Sequence, residues 1–195
     1  MRKINTCKSK RGFTLVELVL VMAITLIFVT IGFAVFSIVN TSHARVAVLN
    51  DAKDFAALNM QAIENLTADA SEIELLSSPV SQAGCISVYF TKNASTKESV
   101  LWYLTDSGSA VRAFDYGQYF INGNTTRKWS ILTSQPIFTT TGTTGIIHVK
   151  LQVVDNASGN VYYTLSKDLI FLNITTADAV TGSSGTVIKV KNYTP

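Results

Sequence analysis

Glu17 is the residue whose type and position most directly suggest chemistry, because it is an acid inside an otherwise apolar run. An ionised carboxylate near the centre of a bilayer costs on the order of 3 kcal/mol, so an intramembrane acid marks a functional site by default. The simpler alternative is a carboxylate at the membrane edge, where the positive end of a helix dipole stabilises it. Glu17 is therefore the first candidate site residue, and both interpretations are open at this stage.

Residue types that support catalysis or metal binding are sparse elsewhere. His43 and His148 are the only histidines, and no Cys, Asp or Glu cluster gives metal-ligand spacing around them. The segment "DNASGN" at residues 155–160 could supply oxygen ligands to a calcium ion. It lacks the order of ligand positions found in an EF-hand loop, however, and suits a hairpin turn better. We therefore expect no metal, no cofactor and no enzymatic activity.

Three further patterns are interpreted as structural. The aromatic residues of strand-like segments belong mostly to the core, with a ligand platform as the alternative. Cys7 and Cys85 lie on opposite sides of the apolar run, so we expect both to be unpaired. The Asn-x-Ser/Thr sequons at the following asparagines are taken to reflect a surface rich in Thr and Asn: Asn65, Asn93, Asn124, Asn156 and Asn173.

The positive charge is concentrated in residues 1–12, which carry no acid and five cations: Arg2, Lys3, Lys8, Lys10 and Arg11. Removing these five from the formal net charge of +3 leaves −2 for residues 13–195. A nucleic-acid-binding domain would cluster Lys and Arg on its folded part, whereas here they are scattered. DNA is therefore not the expected partner, although the local pair Arg127 and Lys128 leaves it open. The cations predict a leader that stays in the cytoplasm.

The segment after the leader is typical of a membrane helix. No charged residue occurs between Leu18 and Ser42, and a helix over residues 18–39 would be about 33 Å long, enough to cross the hydrocarbon core. No small-residue cleavage site follows the apolar run, which distinguishes it from a secretory signal peptide. The remainder of the chain should then face outward.

The helical period continues beyond Thr41 but becomes amphipathic. No Pro interrupts residues 13–78, so we predict one helix from about residue 14 to about residue 66, with Gly32 as its weakest point. Its second half should pack one stripe on a globular body: Leu49, Ala52, Ala56, Ile63 and Leu66, with Phe55 beside them.

After Pro79 the apolar period changes to two, which predicts strands separated by polar turn-forming clusters. The best-defined hairpin turn is at residues 155–160. The predicted strands are residues 85–90, 99–104, 110–114, 129–133, 146–154, 161–165, 169–174 and 187–191.

The predicted fold class is α+β, with a long N-terminal helix packed on an antiparallel β-sheet domain in a lollipop arrangement. This prediction divides the chain into four segments. They are a cytoplasmic leader (1–12), a hydrophobic transmembrane helix (13–40), the amphipathic half of that helix with a linker (41–74), and an exported antiparallel β-domain (75–195).

The run "KRGFTLVELVLVMAI" resembles the start of type IV pilins and pseudopilins. That family has a basic leader ending in Gly, then Phe, then a Glu at the start of a long apolar helix. Gly12, Phe13 and Glu17 match this pattern, with Lys10 and Arg11 before them. Many members carry a helix-breaking Pro further along, where this chain has Gly32 and no Pro. Residues 145–173 resemble the closing hairpin of minor pilins and minor pseudopilins, which favours a minor subunit.

The resemblance implies that prepilin peptidase cuts between Gly12 and Phe13 and that Phe13 becomes N-methylated. Glycine suits this position because a side chain would obstruct the approach of the peptidase to the scissile bond. Within family filaments, Glu17 of one subunit is expected to pair with the new α-amine of Phe13 on a neighbour. The other implied partners are further pilin or pseudopilin subunits, an inner-membrane platform protein with an assembly ATPase, and membrane lipid before assembly.

The resulting hypothesis is a structural subunit of a type IV filament, held in the cytoplasmic membrane and then placed in a cell-surface pilus or a pseudopilus. The alternative is a DNA-uptake or adhesive pilin whose β-domain binds a ligand. An enzyme anchored by one helix would require His148 beside an acid in a cleft.

Overall fold

A computed structural model describes most of the chain, namely residues 13–92, 99–113, 129–155 and 158–191. The chain forms two units, Met1–Ala47 and Val48–Pro195. The described part of the first unit consists of the start of one long helix. The second unit contains the end of that helix and all the strands.

The long helix, α1, covers Leu15–Thr67. This confirms the prediction of one helix, and both ends lie within a residue of the predicted positions. The helix continues through Gly32, where an added Cβ would have no neighbouring atom within 4 Å. Neither packing nor a tight turn requires a glycine here, and unwinding at Gly32 during assembly stays a prediction.

From Val48 onward, α1 buries one stripe of side chains. Two polar residues of the stripe bond to the helix backbone: Asn59 Nδ2 donates to the carbonyl of Phe55 (2.7 Å) and Thr67 Oγ1 donates to that of Ile63 (2.8 Å). Because these side-chain donors are bonded, the stripe can face an apolar core. Its apolar members are Ala52, Phe55, Ala56, Met60 and Ile63.

Eleven strands occur within the described residues. They are β1 Glu72–Leu76, β2 Cys85–Lys92, β3 Ser99–Leu104, β4 Ala110–Arg112, β5 Trp129–Ile131, β6 Phe138–Thr140, β7 Ile146–Asp155, β8 Val161–Ile170, β9 Val180–Thr181, β10 Ser184–Gly185 and β11 Val187–Lys191. A short 3-10 helix, Ala177–Ala179, precedes β9.

One sheet has six strands in the order β4-β3-β2-β11-β1-β9. Its neighbours are antiparallel except β1 and β9, which are parallel. On one face, acids of β1 stand opposite lysines of β11, so that Glu72 pairs with Lys191 (2.6 Å) and Glu74 with Lys189. The opposite face supplies buried side chains such as Ile73.

The second sheet is organised around β7. Strand β8 pairs along one edge of β7, while β5 and β6 pair with separate parts of its other edge, and β10 pairs with β6. Alternate residues of β7 are buried, namely Ile147, Val149, Leu151 and Val153. The polar turn between β7 and β8 confirms the hairpin predicted at residues 155–160.

A single apolar core joins the buried stripe of α1 to the inner faces of both sheets. The segment between β9 and β10 passes close to β1, and Gly182 makes this possible. Its φ is +83°, and a Cβ there would lie 2.5 Å from the carbonyl oxygen of Leu75. An L-residue would be strained at that φ and would collide with the strand.

Two strand predictions are wrong in their bounds. The segments 161–165 and 169–174 were predicted as separate strands, but β8 is one strand that ends at Ile170, and a turn follows it. Polar residues 166–168 suggested a break, yet Lys167 binds Glu64 of α1 and Asp168 binds His148 of β7. The strand is continuous because its backbone pairs with β7 along its length, and these two side-chain pairs accompany that pairing.

Other differences are smaller. Strands β1, β6, β9 and β10 were not predicted, β4 and β5 are shorter than expected, and Phe114 lies outside the described residues. Leu49 and Leu66, expected in the buried stripe, are only half-buried.

Candidate functional site

The start of α1 is closed by a capping box formed by Thr14 and Glu17. Thr14 Oγ1 accepts from the backbone N–H of Glu17 (3.2 Å), and Glu17 Oε2 accepts from the backbone N–H of Thr14 (2.9 Å). The Thr14 hydroxyl also donates to Glu17 Oε2 (3.1 Å). This is the reciprocal arrangement expected of a Thr-x-x-Glu sequence at a helix N-terminus. Thr14 is the residue that our sequence analysis missed, although the Thr-x-x-Glu spacing was present to indicate it.

The capping box accounts for one oxygen of the Glu17 carboxylate. Oε2 accepts both hydrogen bonds from Thr14, and within the described residues nothing donates a hydrogen bond to Oε1. The carboxylate also lies at the positive end of the α1 dipole, which stabilises a negative charge. The carboxylate is thus stabilised by the helix dipole, as in the simpler interpretation, and by the hydrogen bonds that Thr14 donates to Oε2.

Phe13 stands immediately before this box and is 81% exposed. Gly12, Lys10 and Arg11, the other residues predicted at the cleavage site, lie outside the described residues. Because the Phe13–Thr14 peptide bond would survive cleavage after Gly12, the Thr14 N–H would remain. The capping box is therefore compatible with both the uncleaved and the cleaved chain.

The first unit exposes apolar side chains on every face of α1. All its described residues are exposed, including Leu18, Phe28 and Val39. The helix is long and apolar enough to cross a membrane. Such a surface requires lipid or other protein, since a fully apolar helix is not stable in water.

Both threonine hydroxyls within residues 13–40 other than that of Thr14 are bonded to the helix backbone. Thr25 Oγ1 donates to the carbonyl of Val21 (2.7 Å), and Thr30 Oγ1 donates to that of Ile27 (2.8 Å). These side-chain donors are therefore satisfied without water, as an apolar environment demands. Glu17 is the only ionisable side chain between Phe13 and Ser42.

A histidine–acid pair that the sequence analysis did not predict lies on the second sheet. His148 Nδ1 and Asp168 Oδ1 are 2.6 Å apart on directly opposed positions of β7 and β8. Their side chains are 39% and 58% exposed, and Thr139 of β6 stands opposite His148 on its other side. In the part of the chain that the structure describes, no three His, Cys, Asp or Glu residues are grouped to hold a metal. His43 lies on the exposed part of α1.

The other candidates have structural surroundings. Asp155 Oδ2 accepts from the N–H (3.3 Å) and hydroxyl (3.0 Å) of Ser158, which fixes the turn after β7. Cys85 is buried and forms no disulfide with any described residue. Trp129 is buried and packs edge-on against Tyr162, with ring centroids 5.4 Å apart.

Several other predicted positions fall outside the described residues, namely Cys7, Asn93, Tyr116, Tyr119, Asn124, Arg127, Lys128 and Asn156. Two of the sequons named above, at Asn65 and Asn173, lie within the described residues and differ in their third residue. Asn65 precedes the buried Thr67, whereas Asn173 and Thr175 are both exposed in and after the turn that follows β8.

Comparison with known proteins addresses the N-terminal site directly. Residues 7–33 match the family model described as the prokaryotic N-terminal methylation motif. The chain carries the signature of type IV pilins and pseudopilins. No curated protein and no solved structure matches the chain. The pilin signature covers Gly12, Phe13 and Glu17, and it ends before the half of α1 that packs in the second unit.

The pilin signature gives the site geometry a functional context. An α+β chain with one long N-terminal helix and antiparallel-rich sheets agrees with the pilin architecture. The pilin motif is consistent with processing by prepilin peptidase, membrane anchoring and assembly with other pilins.

Proposed function

We propose that this chain is a structural subunit of a type IV filament, made as a prepilin and incorporated through residues 13–40. The observation that carries the proposal is the pilin signature at residues 7–33, joined to an apolar helix that is exposed on every face. A subunit of this kind performs no reaction. Its chemistry is the packing of apolar helices and the placement of one carboxylate among them.

The proposed order of events starts in the membrane. The leader cations hold residues 1–12 in the cytoplasm, prepilin peptidase cuts after Gly12 and methylates the new amine of Phe13, and α1 remains in the bilayer. A platform protein and its assembly ATPase then transfer the subunit into the filament. The second unit would lie outside the cytoplasm throughout.

In this proposal, Glu17 fixes the axial offset between neighbouring helices. Apolar helices slide past one another easily, because neither lipid nor Leu side chains discriminate between offsets. The oxygen Oε1, which receives no hydrogen bond from the described residues, would accept the α-amine of Phe13 on a neighbour while Oε2 stays in the capping box. Each buried charge would then compensate the other.

The finer assignment is a minor pilin or minor pseudopilin. Its support is the long hairpin of β7 and β8, which corresponds to the segment that resembles the closing hairpin of minor subunits. Quantitative immunoblotting of purified filaments tests it. A minor subunit should be a small fraction of total pilin, whereas a chain that forms most of the filament mass is a major subunit.

The mature N-terminus tests the processing step. Mass spectrometry of the protein in filaments should find a peptide that begins at N-methylated Phe13. In cells that lack prepilin peptidase, the chain should keep residues 1–12. The substitution Gly12→Val should block cleavage even when the peptidase is present. Intact Met1 in filaments, or a start at another residue, would overturn the processing claim.

A further inference from the structure

The apolar part of α1 ends in a short polar segment, residues 40–45, whose last member is Arg45. No charged residue occurs between Leu18 and Ser42, and Arg45 is the first formally charged side chain after Glu17. Every residue of the polar segment is exposed. Within the residues that the structure describes, Arg45 forms no ion pair. Its charge must therefore be stabilised by water or by a group outside the chain.

The length of α1 sets the depth of Arg45 when the helix crosses a bilayer. At 1.5 Å per residue, residues 18–39 cover about 33 Å, slightly more than the hydrocarbon core of about 30 Å. With this run centred on the bilayer, the backbone of Asn40 lies about 17 Å from the midplane and that of Arg45 about 25 Å. The headgroup layer extends from about 15 Å to about 22 Å. The polar segment therefore begins in this layer and ends just beyond it.

The side chain of Arg45 returns towards the headgroup layer. In an α-helix each Cα–Cβ bond is tilted towards the helix N-terminus, which here is the direction of the membrane. Arginine at the end of a membrane helix lays its apolar stem along the helix and places its charged head at the interface. Ser42 precedes Arg45 by three residues and lies on the same helix face, so its hydroxyl can donate beside the guanidinium.

A phospholipid phosphate is the ligand that fits these donors. It carries negative charge at headgroup depth, and a guanidinium donates two parallel hydrogen bonds to phosphate oxygens. The spacing of charges along α1 supports this placement. Glu17 precedes Arg45 by 28 positions, or about 42 Å of helix. This length matches the about 40 to 45 Å of a bilayer with its headgroups, so the two charged residues mark its two surfaces.

We propose that Arg45 binds the phosphate of a phospholipid in the outer leaflet of the cytoplasmic membrane, with Ser42 as a second donor. The contact fixes the depth of α1 before assembly. The inference rests on the proposed function, because the outward position of Arg45 requires the leader to stay in the cytoplasm. It adds a specific lipid contact that must break when the subunit leaves the bilayer.

Dipolar solid-state NMR of the full chain in phospholipid bilayers tests the contact directly. With ¹⁵N in the arginine side chains, lipid ³¹P nuclei reduce the signal of any guanidinium that is hydrogen-bonded to a phosphate. Arg45→Lys should remove a distinct part of this dephased signal. The matched control is Arg112→Lys, which should leave it unchanged because Arg112 stacks on Trp102 (5.7 Å). The leader residues Arg2 and Arg11 contribute equally to all the spectra.

A second pair of samples separates a lipid headgroup from free phosphate. The full chain is placed in bilayers of a neutral glycolipid that contains no phosphate, with and without inorganic phosphate in the buffer. Neither sample should show the dephasing that depends on Arg45. Dephasing by inorganic phosphate alone would indicate a site for the free ion and would overturn the lipid assignment.

A spin label gives an independent measure of depth. A nitroxide at Val39→Cys, in a chain with Cys7→Ser, reports its depth through its accessibility to oxygen and to a water-soluble nickel complex. Cys85 is only 3% exposed and should stay unlabelled. Arg45→Gln should move the label towards the bilayer centre by about one helical turn, or about 5 Å, because the phosphate no longer holds the helix. The parent chain in glycolipid should show the same depth as Arg45→Gln in phospholipid.

Three further results would overturn the contact. They are unchanged dephasing in Arg45→Lys, equal label depth in the parent chain and Arg45→Gln, and loss of filament incorporation in Arg45→Gln at unchanged depth. The last result would assign Arg45 to a carboxylate of another protein. All three leave the proposed function intact if the chain is cleaved and enters filaments. A chain that is neither inserted in the membrane nor cleaved would refute both, so the two failures are distinguishable.

Discussion

The substitution Glu17→Gln separates the charge of Glu17 from its role in the capping box. The amide oxygen of Gln can accept the same two hydrogen bonds from Thr14 that Oε2 accepts now. The negative charge is lost, so the α-amine of a neighbouring Phe13 would be buried without compensation. The matched variant Thr14→Val does the opposite, since it keeps the charge and removes the hydroxyl of the cap.

The expected magnitudes of the two variants differ widely. Loss of one partner of a buried ion pair costs roughly 3 to 5 kcal/mol, which corresponds to a factor of about 150 to 4,000 in incorporation. Loss of a threonine N-cap costs about 1 kcal/mol, or about fivefold. Glu17→Gln should therefore be nearly absent from filaments, while Thr14→Val should be incorporated at a reduced level.

The assay compares sheared filaments with membranes by quantitative immunoblotting, in cells that also produce the other subunits. Both variants should insert in the membrane and lose the leader like the parent chain, which mass spectrometry of the N-terminus checks. Normal incorporation of Glu17→Gln would refute the charge-pair reasoning. An equally severe defect in Thr14→Val would show that capping, and not charge, explains the requirement for Glu17.

Three further predictions concern the second unit. Ile63→Ala, at a fully buried position of α1, should lower the free energy of unfolding by about 2 to 5 kcal/mol in denaturant titrations of the detergent-solubilised chain. In a double-mutant cycle, the half-exposed pair of Lys167 and Glu64 should show a coupling energy below about 1 kcal/mol, and a larger value would contradict its exposure. The hydrogen bond to Glu72 raises the pKa of Lys191 above its ordinary 10.5. The stabilisation of the folded chain by protonated Lys191 is therefore fully present below pH 10.5, and it is lost as pH rises through the raised pKa. Lys191→Met should therefore show a shallower loss of stability above pH 10.5 than the parent chain, and an unchanged slope would refute the linkage.

The long helix was predictable because its signals are local. The charge-free run after Glu17 and the apolar spacing from Ala52 to Ile63 depend only on neighbours along one helix, and the helix is confirmed over both. The capping box was also predictable, since Thr14 and Glu17 have the required spacing.

The strands were less predictable because their polar residues are satisfied by distant partners. Lys167 is a polar position within β8, and the strand continues through it because β8 pairs with β7 on both sides of this residue. The pair of His148 and Asp168 likewise depends on the register of β7 with β8. No local pattern in one sequence contains that register.

The position of β11 has a consequence for the order of folding. This late strand lies between β1 and β2, and its Lys191 meets Glu72 across 119 positions of the chain. During vectorial synthesis, β1 and β2 emerge first with unfilled edges towards the place of β11. The six-stranded sheet closes only when residues 187–191 arrive, and such long-range pairing is slow and exposed to misassociation. A premature stop before residue 187 would therefore leave two open sheet edges facing each other, and conditions that delay the last strand should favour degradation over folding.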